Sequence, residues 1–199
     1  MRIKRKKVTF KRAAPSVQRR SRREAITDGV LKVIARRGVE GLTHRRVASA
    51  ARVPLGSTTY YFKGIEDMLV AAMSALVDRD LQRLKGYFDS IPRGANLAPV
   101  MTALVLDGVT HDRDNTILAH ELSVASLRRV RLREIAEPWD QHWQRVLQDH
   151  VGAVRAATVT ATAAWLMHQL LLQRKPPDKK LILAMMRQAL GEARTRNRR

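Results

Sequence analysis

Two short runs of side chains in this sequence could hydrogen-bond a polyanion. Thr43, His44, Arg45 and Arg46 follow one another, and Leu55, Gly56, Ser57, Thr58, Thr59, Tyr60 and Tyr61 do so a little further on, with Lys63 close behind. Ser and Thr hydroxyls both donate and accept, and they are small enough to approach the edges of base pairs in the major groove. Arg and Lys side chains and a phenol suit phosphate and sugar oxygens, which fix the register of a protein on a duplex without reading its sequence. The chemistry on offer is recognition rather than bond breaking.

The elements needed to position these runs are helical. Ile26, Val30, Val33 and Ile34 share one helix face over 22–37, with Ser21 as a cap and Gly38 as the stop. Thr43 is a good N-cap for a second, short helix that turns Val47, Ala48 and Ala51 inward, and Arg52-Val53-Pro54-Leu55-Gly56 is expected to form a tight turn. The run that follows is too short to be stable alone and must be held by packing. A helix, a short helix, a turn and a second short helix make a helix-turn-helix, the arrangement that lays its second short helix in the major groove. An ordinary helical hairpin with surface hydroxyls is the alternative that this pattern leaves open.

From Ile65 a long amphipathic periodicity begins, through Met68, Leu69, Ala72 and Leu76 to Phe88, and Ile91-Pro92-Arg93-Gly94 ends it. Further helices are expected near 96–109, 115–130, 131–151, 156–174 and 178–194, with a kink or break at Pro138 and Asp178 capping the last. No stretch alternates with period two, so the fold class is all-α. The expected organisation is a basic arm over 1–20, a DNA-binding domain over 21–66 and a C-terminal helical domain over 67–199.

Composition narrows the function. The formal net charge is +20, and residues 1–23 carry eleven Lys or Arg and no acid. Such a chain seeks nucleic acid or an anionic surface. The arm reads either as a solvated tail or as a segment along phosphates or in the minor groove. There is no Cys, which excludes disulfides, thiolate metal sites and Cys nucleophiles. His142 and His168 are not spaced as a metal site, no HExxH occurs, and Asp107, Asp112, Asp114 and Glu121 read as solvated loop acids. No catalytic residue, metal or cofactor is therefore expected, and the chain is not expected to be an enzyme. The basic arm has no adjacent apolar helix face for a membrane, and no apolar run reaches a membrane span. A nucleoid-like or RNA-binding protein that uses charge alone is the rival, and it would bind every sequence equally.

The run from Glu24-Ala25-Ile26 through Gly38, Gly41-Leu42-Thr43, Val47-Ala48 and Val53-Pro54-Leu55-Gly56 to Tyr61-Phe62 and Glu66-Asp67-Met68-Leu69 resembles the N-terminal domain of the TetR family over about residues 22–69. The resemblance implies a two-domain, all-helical homodimer, and the lack of Cys fits a cytoplasmic protein. It also implies a palindromic operator of double-stranded DNA, and repression relieved by a small ligand. Two positions depart from the family pattern. Thr59 stands where the reading helix often has Tyr, and Ile65 where the next helix often starts with Lys. Both family residues commonly touch phosphate, and Tyr60, Lys63 or the arm are the available substitutes.

In the C-terminal half, Leu104, His120, Trp139, Trp143, Trp165 and His168 are the candidate lining of a mostly apolar effector pocket, with core packing as the alternative for each. By the same resemblance the last two helices carry the dimer interface. Ala156, Ala157, Ala161, Ala163 and Ala164 would allow close approach, and Leu166, Leu170, Leu181 and Met185 would supply apolar contact, with packing inside the monomer as the equal alternative.

Overall fold

Ser21 and Glu24 start the first helix, α1 (Arg22–Arg37), by reciprocal capping. The Ser21 hydroxyl accepts from the Glu24 N–H at 3.2 Å, and the Glu24 carboxylate accepts from the Ser21 N–H at 3.0 Å. Gly38 ends α1 at φ 68°, a conformation that side chains other than glycine rarely take. A single 3-10 turn, Val39–Gly41, leads to Thr43, whose hydroxyl caps α2 (His44–Ala51) through the Arg46 N–H. Gly29 lets α1 and α2 cross closely, since a Cβ there would lie 2.8 Å from that of Ala51.

In this computed structural model, residues 21–88, 91, 94–173 and 175–192 are described, save the side chains of Leu84, Lys85 and Tyr87. The basic arm expected over 1–20 lies outside the described residues. The chain continues as α3 (Leu55–Tyr61), α4 (Ile65–Phe88), α5 (Leu97–Thr110), α6 (Arg113–Ser126), α7 (Val130–Val151), α8 (Ala153–Leu172) and α9 (Lys179–Ala189). The described residues contain no strand.

Several boundaries differ from expectation. The α2–α3 turn is held by Arg52, a non-glycine residue at φ 56°, and α3 starts directly after Pro54, so Gly56 lies inside the helix and not in the turn. α6 stops at Ser126, which leaves an elbow before α7. α7 runs unbroken through Pro138. A proline removes one backbone hydrogen bond, but packing holds both halves of this helix: Leu132 and Leu147 are fully buried. Asp178 caps α9, as expected, by accepting from the Lys180 and Leu181 N–H groups.

Two apolar cores result. The first gathers Ile26, Val30 and Ile34 of α1, Val47 of α2, Phe62 at the end of α3, Met68 and Leu69 of α4, Leu118 and Leu122 of α6, and Leu132 of α7. The second gathers Phe88 of α4, Met101 and Val105 of α5, Leu147 of α7, Val159 of α8, and Ile182 and Met186 of α9. Among the described residues only α4 and α7 contribute to both. A displacement of either helix in the second core is therefore felt in the first, because interiors this dense transmit strain.

Candidate nucleic-acid interface and effector cavities

The interface is built on α3, which is too short to hold itself and is braced from behind. Thr58 is 0% exposed and Phe62 1%. The Thr58 hydroxyl donates to the Leu55 carbonyl at 2.8 Å and lies 3.1 Å from His44 Nδ1. Its one hydrogen is spent on Leu55, so His44 is the donor and carries its proton on Nδ1. Phe62 is covered by the Arg23 guanidinium, 5.1 Å from the ring centroid, which ties the start of α1 to the end of α3.

The other side of α3 is open. Tyr60 is 83% exposed, Leu55 46%, and Tyr61, Thr59 and Lys63 are also exposed, with Ser57 half-buried. Space beside Gly56 is empty: a Cβ there would meet nothing within 4 Å. Tyr60 and Tyr61 meet edge to face at 5.0 Å. Thr43, Arg45 and Arg46 at the start of α2 are exposed and His44 is half-buried. Arg46 donates to the Gly41 carbonyl at 2.8 Å. Eleven of the twelve residues singled out in these two runs therefore reach the surface at least in part, and Thr58 does not. Its helix phase points it into the head.

Three long-range contacts that steady this head have no local sequence signal. The Glu121 carboxylate of α6 accepts from the Val39 N–H at 3.4 Å, beside Gly38. Arg79 of α4 pairs with Asp28 of α1. Asp67, in the first turn of α4, accepts from the Lys63 N–H at 3.1 Å and from Arg131 of α7 at 2.7 Å. The Arg131 hydrogen bond holds the Asp67 carboxyl below the usual carboxylate range against the opposing effect of desolvation, and the same hydrogen bond raises the Arg131 guanidinium.

In the C-terminal half the six expected pocket residues separate into three places. Leu104 lines a cavity of about 560 Å³ between α5 and α9, with Arg83 and Lys179 at its edge. Trp139 lines a cleft of about 410 Å³ between α4 and α7, with Leu81, Pro138 and His142. Trp143 joins Trp139 by a shared partner: both indole N–H groups donate to one oxygen of Asp80, at 3.1 and 2.8 Å, while Arg83 binds its other oxygen. His120 and Trp165 both stack with the ring of His168, at 5.7 and 5.6 Å between centroids, and these three line neither cavity. Of the acids expected to be solvated, Asp112 and Asp107 both face Arg83, at 2.7 and 3.8 Å. Among the described residues no group of three or more side chains could hold a metal ion, and no helix is long and apolar enough to cross a membrane.

No family model matches the chain. Over 69 residues it is 30% identical to PksA of Bacillus subtilis (strain 168), an HTH-type transcriptional regulator, a match that covers 35% of this chain and 34% of that one. Over 75 residues it is 37% identical to an uncharacterized HTH-type transcriptional regulator in the dhlA 5′ region of Xanthobacter autotrophicus, covering 38% and 35%. The chain thus matches about a third of the length of these curated relatives. Among solved structures, the multidrug binding protein EbrR, complexed with proflavin, is 30% identical, with TM-score 0.66 over 85% of this chain and 99% of that one. A TetR family member from Streptomyces coelicolor A3 is 29% identical, with TM-score 0.76 over 85% and 98%. The likeness to a TetR protein therefore runs through the C-terminal helices as well as the head.

The chain belongs to the TetR family.

As a TetR-family chain it is a DNA-binding transcriptional regulator with a helix-turn-helix head and a helical C-terminal domain, and not an enzyme. The two departures from the TetR pattern are placed by the fold. Thr59 is exposed, its hydroxyl returned to the Gly56 carbonyl at 3.1 Å. Ile65 is half-buried and packs against the first core.

Proposed function

We propose that this protein is a cytoplasmic repressor that binds a palindromic operator as a homodimer and leaves it when a small, mostly apolar ligand enters the C-terminal domain. The observation that carries this reading is the two-sided character of α3, buried through Thr58 and open through Gly56, Thr59 and Tyr60. A helix braced on one face and bare on the other is what the major groove admits. Ser57 and Thr59 are suited to base edges, Leu55 to a thymine methyl, and Tyr60, Tyr61, Lys63, Arg45, Arg46, Thr43 and the close backbone at Gly56 to phosphates and sugars. His44 and Thr58 hold the two helices in register. In this reading residues 1–20 are a basic arm, 21–66 the DNA-binding domain and 67–199 the effector and dimer domain.

A second copy of the chain fits the outer face of α8 and α9. Val154, Ala157, Ala161, Ala164, Trp165 and Leu172 are exposed at helical spacing on α8, and Leu181 and Ala184 on α9. Small and apolar side chains in one stripe suit close packing against an identical stripe across a two-fold axis. Ala156, Ala163 and Leu166, expected in that interface, are buried in the protomer's own second core, and Leu170 and Met185 are partly buried against it.

For the ligand, the α4–α7 cleft is the favoured seat. It touches both helices that join the two cores, and Trp139 offers a flat apolar wall. EbrR has been solved with ethidium, proflavin and malachite green, each of which carries aromatic rings. A similar ligand in this cleft would part α4 from α7. By linkage, it would bind the DNA complex more weakly than the free protein. The test is competition at physiological salt between the DNA upstream of the protein's own gene and random DNA of equal length. Preference for the upstream fragment supports a sequence-specific regulator; equal binding supports a protein that reads charge alone.

A further inference from the structure

The elbow between α6 and α7 places arginines at 128, 129, 131 and 133 with no acid among them. Arg128, Arg131 and Arg133 are exposed and Arg129 is half-buried. Neither Arg128 nor Arg129 has a side-chain partner among the described residues, and Arg133 donates to the Leu127 carbonyl at 2.6 Å, which turns it back over the elbow without neutralising it. The position of the cluster gives it meaning. Arg131 is bonded at 2.7 Å to one oxygen of Asp67, whose other oxygen is bonded at 3.1 Å to the Lys63 N–H. One carboxylate therefore separates the elbow from Lys63, two residues past the end of the reading helix. Ile65, at the start of α4, brings no charge to this corner of the head.

We propose that the α6–α7 elbow is a second DNA-contacting surface, in which Arg128 and Arg133 grip phosphates that flank the half-site read by α3. Arg131 serves as the tether: its charge is met by Asp67, and it holds the elbow beside Lys63. This rests on the reading of α3 as the groove-facing helix. A duplex seated on α3 presents a continuous line of phosphates past the end of that helix, and arginine is the side chain whose planar fork matches phosphate oxygens. Val124, Leu127 and Val130 are exposed on the same elbow and have no phosphate chemistry, so the proposal stands on the arginines.

The test compares full-length wild type with Arg128→Gln/Arg133→Gln, which leaves the Arg131–Asp67 pair in place. The probe is a duplex of about forty base pairs recovered by the wild type from genomic fragments, and binding is measured from low to physiological salt. Loss of two phosphate contacts should lower the slope of log affinity against log salt by roughly 0.9 per contact, or about 2. Trimming the duplex to the bases under α3 should abolish that difference. Lys175→Gln/Lys180→Gln, which removes the same charge far from the head, should leave the slope unchanged. An unaltered slope in the elbow variant, or an equal fall in both variants, overturns the proposal. A wild type that recovers no preferred duplex overturns the reading of α3 instead.

Discussion

His44 Nδ1 lies 3.1 Å from the Thr58 hydroxyl, and that hydroxyl passes its own hydrogen to the Leu55 carbonyl at 2.8 Å. The relay joins the first residue of α2 to the middle of α3 in the interior of the head, so the angle between the two short helices is fixed by polar groups as well as by Phe62. Thr58→Val keeps the shape and removes the acceptor, leaving a part-buried imidazole N–H unpaired. Such a loss costs about 1–3 kcal/mol. Thermal unfolding should show that destabilisation for Thr58→Val and close to none for Thr58→Ser, and DNA affinity should fall in the same order.

Gly56→Ala separates folding from binding. The added methyl meets open space in the free protein, and alanine in a helix is favoured over glycine by roughly 0.5–1 kcal/mol. Unfolding should therefore occur at the same or a higher temperature than in the wild type. DNA affinity should fall, because the methyl occupies the face that approaches the duplex. An affinity equal to the wild type's would place Gly56 away from the DNA.

Much of the architecture is written locally, and particular residues show where that stops. Ser21, Thr43 and Asp178 announce their helices because capping needs only residues two or three apart, and Gly38 announces a stop because φ 68° favours glycine. The open face of α3 was legible from residue type, but the burial of Thr58 was not, since a seven-residue helix takes its phase from its neighbours. Pro138 misleads in the same way: local chemistry breaks the helix and two cores hold it together. Asp80, Glu121 and Arg131 act on partners far along the chain, so no spacing in the sequence marks them. The expected pocket residues were individually reasonable, yet only the fold sorts them into a cavity, a cleft and a surface stack.

The Asp67–Arg131 pair predicts a pH dependence. Asp67 has a depressed pKa in the folded protein, so its contribution to stability is fully present above the unfolded value, near pH 4, and is lost as pH falls through the lower folded value. Arg131→Gln should be less stable than the wild type at neutral pH. Chemical unfolding at a series of pH values should show the two converging as the solution is acidified below about pH 4. A gap that stays constant into that range would mean that Arg131 acts by packing rather than by charge.

Ala161→Glu tests the proposed dimer face without touching a core, since Ala161 is exposed on the α8 stripe. Sedimentation of the wild type should give twice the 22.6 kDa of one chain. The variant should sediment as a single chain with unchanged helicity, because burying an unpaired carboxylate in an apolar interface is costly. A wild type of one chain's mass would remove the two-fold arrangement of reading heads.

The central claim is that the open face of α3 reads DNA sequence. The most direct measurement is selection of bound genomic fragments by the full-length wild type and by Thr59→Ala, with the enriched sequences compared. The wild type should enrich a two-fold-symmetric sequence whose half-sites lie about one helical turn apart or a multiple of it. Thr59→Ala should alter or relax base preference at matching positions of both half-sites. Enrichment of no sequence by the wild type, or of an identical sequence by the wild type and Thr59→Ala, would contradict the account.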